Sequence, residues 1–153
     1  FEERKSVEEV EEGNKLSPKF DNAGLIPVVT TDVDSGVLLM HAYMNKEALK
    51  LTIEKNEAHY YSRSRECVWH KGATSGFVQK VREILIDDDQ DCLIYYVNLE
   101  GKKASCHVGY KSCFYRKLIS KNGKYDVELE FIENEKIFDP KKVYGNLPNP
   151  TKL

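Results

Sequence analysis

The chain has 153 residues, of which 41% are hydrophobic and 31% charged, and its formal net charge is −2. That length predicts one domain with room for a core, and the balance of apolar and charged residues excludes intrinsic disorder and gives no reason to expect nucleic acid as a partner. No apolar run approaches the roughly 18 residues of a membrane span and the start lacks a signal-peptide pattern, so the expected location is the cytoplasm, away from membranes.

Phe1 to Glu12 is rich in Glu, Arg and Lys, with Val7 and Val10 three apart, which predicts a short surface helix stopped at Gly13. Two β-prone runs, Val28–Thr31 and Val37–Met44, flank Asp34-Ser35-Gly36 and predict a hairpin. Asn45 is placed to cap a helix over Lys46–Lys55, with Ala48, Leu49, Leu51 and Thr52 on its apolar side and Asn56 at its end. Strands are expected at His59–Ser62, Val78–Ile86 and Cys92–Val97. The second is expected to be partly buried on both faces, because Val78, Ile84 and Ile86 share one parity and Val81 and Leu85 the other. Asn98–Lys103, with Gly101, reads as a turn. Ser112–Ile119 and Tyr125–Ile132 predict a second hairpin around Lys121-Asn122-Gly123-Lys124. The tail from Phe138 carries Pro140, Pro148 and Pro150 and reads as a surface arm. Together these elements predict an α+β fold, a mostly antiparallel β-sheet with one or two helices. A single domain spans 1–153, with its core at about 25–119, an N-terminal arm or helix at 1–24 and a C-terminal tail at 133–153.

Chemistry concentrates between Asp87 and Cys113. In an extended strand Asp87, Asp89 and Asp91 would face one side. With Asp88 they make four carboxylates in five residues, which repel one another at neutral pH and call for a hard divalent cation such as Mg²⁺; a solvated acidic turn is the plain alternative. An EF-hand is excluded, since the loop has no Gly at its sixth position and no Glu at its twelfth. Cys106 and Cys113, with His107 between them, are either zinc-type ligands or two small buried hydrophobes. A catalytic zinc takes three protein ligands, so the pair is one short; Asp88, Cys92, His107 or a residue of a second subunit could be the third. Disulfides among these cysteines and Cys67 are not expected in a chain without a signal sequence. His41 and His59 read as structural.

The stretch from Ser62 to Gln79 mixes Arg63, Arg65 and Lys71 with Ser62, Thr74, Ser75 and Gly76, donors suited to phosphate oxygens, while Trp69 could stack on a base. The plain alternative is a solvated basic loop with a core tryptophan. Neither GxxxxGK[ST] nor GxGxxG occurs, so any phosphate site is of another construction.

Taken in order, Ser62-Arg63-Ser64-Arg65, Trp69-x-Lys71-Gly72-x-Thr74-Ser75-Gly76, Gln79-x-Val81, Asp87-x-Asp89-x-Asp91, Cys106-His107 and Ser112-Cys113-Phe114 resemble the phosphoribosyl-AMP cyclohydrolase family of histidine biosynthesis. The resemblance runs from about Leu39 to Arg116. It implies a hydrolase that opens the N1–C6 bond of the adenine ring in phosphoribosyl-AMP, an intertwined homodimer, zinc at a site shared between subunits, and Mg²⁺. By matching positions, Asp87, Asp89 and Asp91 would hold Mg²⁺ and Cys106 and Cys113 would hold zinc. Ser62, Arg63, Ser64, Arg65, Trp69, Lys71, Thr74, Ser75, Gly76 and Gln79 would meet the substrate, and His107 or His70 would manage the proton. Many members read Asp-Cys-Asp where this chain reads Asp87-Asp88-Asp89, and there the cysteine is the third zinc ligand. Here either Asp88 or Cys92 takes that place, Asp88 being in register. A reading of another class is a non-catalytic, metal-stabilised dimeric relative that binds a phosphorylated nucleotide; the complete Ser-Arg-Ser-Arg and Trp-to-Gly motifs speak against it. A zinc nucleobase deaminase is excluded, because its His/Cys-x-Glu and Pro-Cys-x-x-Cys motifs are missing.

Overall fold

The computed structural model of the chain describes residues 1–123 and 126–153. Among these residues it is α+β, with three short helices, α1 (Val7–Glu12), α2 (Lys46–Lys55) and α3 (Pro140–Tyr144). The strands are β1 (Ile26–Asp32), β2 (Leu38–Met44), β3 (His59–Ser62), β4 (Cys67–His70), β5 (Gln79–Ile86), β6 (Leu93–Leu99), β7 (Arg116–Ser120) and β8 (Val127–Phe131). The first six form one sheet in the order β4-β3-β2-β1-β6-β5, and β7 and β8 form a two-stranded sheet.

Local signals set most of these elements. Asn45 Oδ1 accepts from Ala48 N and Asn56 closes α2 in the left-handed region, φ 53°, so both helix ends fall where the caps stand. Likewise Ser6 and Gly13 bound α1. The sheet is mixed, which corrects the antiparallel expectation: β1 and β6 run parallel from Val28 beside Leu93 to Asp32 beside Val97. Hairpin partners are antiparallel because a tight turn leaves no choice, but β6 reaches β1 after a long excursion that imposes no direction.

Strand β5 differs in its burial. A bulge between Val81 and Glu83 shifts its parity, so Val81, Ile84 and Ile86 all turn to the core and Leu85 stays exposed. The sheet also curls until β5 meets the chain entering β3, where Val81 N donates to Asn56 O at 2.9 Å and Ala58 N to Gln79 O at 3.0 Å. Ile26, Val28, Leu39, Met44, Leu49, Tyr60, Tyr95 and Val97 fill the space between the curled sheet and α2.

Strand β4 lies inside the stretch read as a basic loop. It pairs with β3 from His59 opposite His70 to Ser62 opposite Cys67, around a turn with Glu66 at φ 53°. The second hairpin is present as β7 and β8, although β7 begins later than expected because Ser112 and Cys113 are tied to β2. Cys113 N donates to Leu39 O at 2.7 Å and Ser112 Oγ to Leu38 O at 2.7 Å. Two positions of that hairpin reading, Lys124 in its turn and Tyr125 at the strand start, lie outside the described residues. The C-terminal tail is not a free arm: Phe138 is 4% exposed and meets Phe77 edge-on at 4.9 Å.

Candidate active site

Cys106 and Cys113 are brought together by the loop between β6 and β7. Cys106 N donates to Tyr110 O at 3.2 Å, Gly109 N to Cys106 O at 3.0 Å, and Ser105 N to Lys111 O at 2.9 Å, which folds residues 105–111 into a tight turn. The two thiols stand close enough to perturb each other's ionisation. The Cys113 thiol holds Cys106 below the ordinary thiol range, helped by the Val108 backbone and the Lys71 ammonium and opposed by burial. Its interaction with Cys106, together with burial, pushes Cys113 up. Of the two, Cys106 is the one whose surroundings favour the thiolate, the donor form a soft cation requires.

Lys71 joins the basic stretch to this pair. Its Nζ donates to Ser105 O at 2.7 Å and stands 5.5 Å from the Trp69 ring centroid. Burial depresses its pKa, while the Cys113 and Cys106 thiolate charge works the other way. Its side chain thus reaches the thiol loop. Arg63, Ser64 and Arg65 occupy the exposed β3–β4 turn. There Arg63 covers the Tyr43 ring at 4.2 Å, Arg65 Nε donates to Ser62 Oγ at 3.2 Å, and Arg65 stands 5.8 Å from Trp69. Thr74, Ser75 and Gly76 form a loop at the other end of β4, closed by Gly76 N donating to Gly72 O at 2.8 Å and by Phe77 N donating to Ser75 Oγ at 3.1 Å. Gly72 is obligatory here: at φ 91°, a Cβ would stand 2.4 Å from Val78 N.

Gln79, expected among the substrate contacts, lies inside the fold. It has no exposed surface. Its Oε1 accepts from Tyr60 Oη at 2.6 Å and its Nε2 donates to Ser105 Oγ at 3.1 Å; Tyr60 Oη also meets Thr30 Oγ1 at 2.7 Å. A polar side chain this deep persists only with its hydrogen bonds satisfied, and this chain of bonds anchors the residue beside Cys106 to the middle of the sheet.

The aspartates lie on a turn between β5 and β6, not along a strand. Asp87 Oδ1 accepts from both Asp91 N at 2.9 Å and Cys92 N at 3.0 Å. The turn still groups Asp87, Asp89 and Asp91, with one oxygen of each within 4.8 Å of the others. Partial burial, then the charges of Asp89 and Asp87, push the Asp91 carboxyl up. Asp88 is exposed, and among the described residues no third Cys, His, Asp or Glu of the same chain clusters with Cys106 and Cys113. Cys92 is partly buried, and burial followed by Asp87 and Asp91 raises its thiol pKa.

The two candidate histidines sit in different surroundings. His70 stacks on His59 at 4.6 Å, and its Nε2 lies 2.8 Å from Glu57 Oε2, a close contact off the line of a hydrogen bond. His107 is beside Cys106. Among the described residues its Nε2 is buried with no hydrogen-bond partner, and burial and then Lys71 lower its pKa, while the nearby Asn149 side chain works the other way. Ser105, Tyr60, Tyr144 and Asn149 complete the surroundings of the thiol loop without having been singled out from sequence. Ser105 and Tyr60 carried no motif, and the last two stand in a proline-bearing tail with no periodic pattern.

Residues 40–115 match the model of the family described as phosphoribosyl-AMP cyclohydrolase. Curated proteins of that name are similar along most of the chain. That of Rhodopseudomonas palustris (strain HaA2) is 51% identical over 140 residues, 92% of this chain and 93% of its own. That of Rhizobium leguminosarum bv. trifolii (strain WSM2304) is 46% identical over 136 residues, 89% of each. That of Sinorhizobium fredii (strain NBRC 101917 / NGR234) is 47% identical over 141 residues, 92% of this chain and 91% of its own.

Proposed function

The chain belongs to the phosphoribosyl-AMP cyclohydrolase family, and we propose that it works as that enzyme. It adds water across the N1–C6 bond of the adenine ring of 1-(5-phosphoribosyl)-AMP and opens the ring to the formimino-carboxamide ribotide, a step of histidine biosynthesis in the cytoplasm. The observation that carries the placement of the site is Lys71, which leaves the basic stretch and ends bonded to Ser105 beside the Cys106–Cys113 pair.

The donor sets suit two cations of different softness. The thiol pair fits zinc and the grouped Asp87, Asp89 and Asp91 fit Mg²⁺. Bound there, zinc would supply an acidic water and Mg²⁺ a hard partner for phosphate oxygens. Asp88 is exposed and stands apart from the thiols of its own chain, which supports its completing the zinc site of a second copy in an intertwined homodimer. Cys92 suits the place less, because burial and then the neighbouring carboxylates oppose its ionisation. The exposed apolar side chains of Phe114, Leu118, Leu129 and Phe131 support a partner on that side of the molecule. Within the site, Arg63 and Arg65 take phosphate oxygens on the open β3–β4 turn, Ser62, Ser64, Thr74 and Ser75 add neutral donors, and Trp69 offers its face to the base. His107, with an unpaired ring nitrogen, accepts and returns the proton; His70 is held by Glu57 and His59.

An absorbance assay of ring opening tests this reading. Zinc-replete protein supplied with Mg²⁺ turns over phosphoribosyl-AMP, a chelator abolishes turnover, zinc restores it, and light scattering gives the mass of a dimer. Absence of turnover by the replete protein would overturn the assignment in favour of a nucleotide-binding relative without catalysis. Full activity at the mass of one chain would remove the shared site.

A further inference from the structure

The two thiols are carried by opposite halves of one loop, so the bonds that join those halves set where the thiols stand. Lys111 is the joint. Its carbonyl accepts from Ser105 N at 2.9 Å, beside Cys106, and its own N–H leads into Ser112 and Cys113. That N–H donates to Glu133 Oε1 at 2.9 Å, and the next one, of buried Ser112, donates to Glu133 Oε2 at 3.0 Å. One carboxylate therefore closes two consecutive amides, a charge-assisted pair stronger than two neutral bonds. Glu133 arrives there because the β7–β8 hairpin returns the chain to its starting point: just past β8, Ile132 N donates to Tyr115 O at 2.8 Å. The chain then stays on the loop, with Ile137 N donating to Gly109 O at 2.7 Å. Other groups of this half are held by β1 and β2. Cys113 N donates to Leu39 O, Ser112 Oγ to Leu38 O, and Lys111 Nζ to Asp32 Oδ2 at 3.1 Å. The amides of 111 and 112 fall to Glu133.

We propose that Glu133 is a positioning residue of the metal centre, a clamp on the Lys111 and Ser112 amides that holds Cys113 in register with Cys106 for one zinc ion. This rests on the reading above that the thiol pair holds zinc. Each oxygen of Glu133 is engaged by the backbone, and among the described residues no three-residue ligand cluster includes it. Its part is thus to hold a ligand rather than to be one. Glu133 lies beyond residues 40–115, which match the family model, so no motif of that stretch points to it. Without the carboxylate the Ser112 N–H loses its partner, the loop is free to take other arrangements, and zinc must order it on binding.

Zinc affinity, measured on the full chain by competition with a chromogenic chelator, tests the proposal without recourse to turnover. Wild type is compared with Glu133→Ala, Glu133→Gln, Cys113→Ser and Asn45→Ala, and urea midpoints are taken on each metal-free protein. Glu133→Ala weakens zinc binding roughly ten- to hundredfold. Glu133→Gln keeps the shape and one acceptor of the two, so its loss is smaller but in the same direction. Asn45→Ala removes a helix cap away from the loop, and lowers stability with zinc affinity unchanged. Two results would overturn the proposal: zinc affinity of Glu133→Ala within about twofold of wild type while Cys113→Ser loses the metal, or losses that follow the urea midpoint alike in the Glu133 and Asn45 variants. Equal affinity of wild type and Cys113→Ser would instead remove the reading of the thiol pair as a zinc site, and the role of Glu133 with it.

Discussion

Gln90 stands in the middle of an acidic run, yet its side chain turns away from that run into the N-terminal segment. Its Oε1 accepts from Ser17 N at 2.7 Å and its Nε2 donates to Val10 O at 3.0 Å and Lys15 O at 3.2 Å, all from a backbone at φ 57°. Arg4 ties the same turn from outside, its guanidinium donating to Ser17 O and Asp89 O. Gln90→Ala leaves a buried Ser17 N–H and two carbonyls without partners, and is expected to lower unfolding free energy by about 2–4 kcal/mol in urea titration. A loss within about 0.5 kcal/mol would show that water replaces the amide without cost. Residues of this sort were hidden in the sequence. Gln79 and Gln90 look like polar members of functional runs, and only burial shows that they are internal struts. Asp87, Asp89 and Asp91 were legible as a group, although a turn rather than a strand gathers them, because short spacing keeps them close in either conformation.

At the scale of elements, α2 was legible to the residue because its caps and its apolar side are local properties. Its N-cap gives a direct test. Asn45→Ala removes the acceptor of Ala48 N and is expected to lower stability by about 1 kcal/mol, read from the shift of the urea midpoint at unchanged slope. Strand β4 was hidden for the opposite reason. Its neighbours Arg63, Arg65, Lys71 and Gly72 carry loop composition, and its pairing partner β3 supplies the order that its own residues do not announce. The parallel contact of β1 with β6 was equally out of reach, since the partners are some sixty residues apart and no turn joins them. The tail from Phe138 was misjudged because prolines mark loops, whereas one aromatic side chain with a waiting pocket is enough to dock a loop.

At the scale of the whole molecule, the closure of the curled sheet depends on Glu57. This residue precedes β3, pairs with Lys80 of β5, and touches His70 of β4, while its carbonyl meets His59 Nδ1 at 2.7 Å. His59 is 5% exposed and faces His70, Lys55 and Glu57. Burial is the main force holding its pKa below the ordinary 6.5, the charges of His70 and Lys55 add to it, and the Glu57 carbonyl and carboxylate oppose it. The unfolded chain therefore binds this proton more readily than the folded one. The stability that neutral His59 contributes is complete above about pH 6.5 and drains away as pH falls toward its folded pKa. Glu57 follows with the same sign. Its hydrogen bond to Lys80 lowers its pKa from 4.5, so its contribution is present above that value and is lost as pH falls through the folded pKa. Acid is thus expected to open the seam in two stages, the histidine first. Urea midpoints taken from pH 8 to pH 4 should decline from about pH 6.5 downward, and His59→Asn should flatten the upper part of that decline while leaving the part below about pH 4.5 in place. An unchanged upper slope in the variant would move the first stage to another histidine and leave Glu57 alone as the acid-sensitive closure of the sheet.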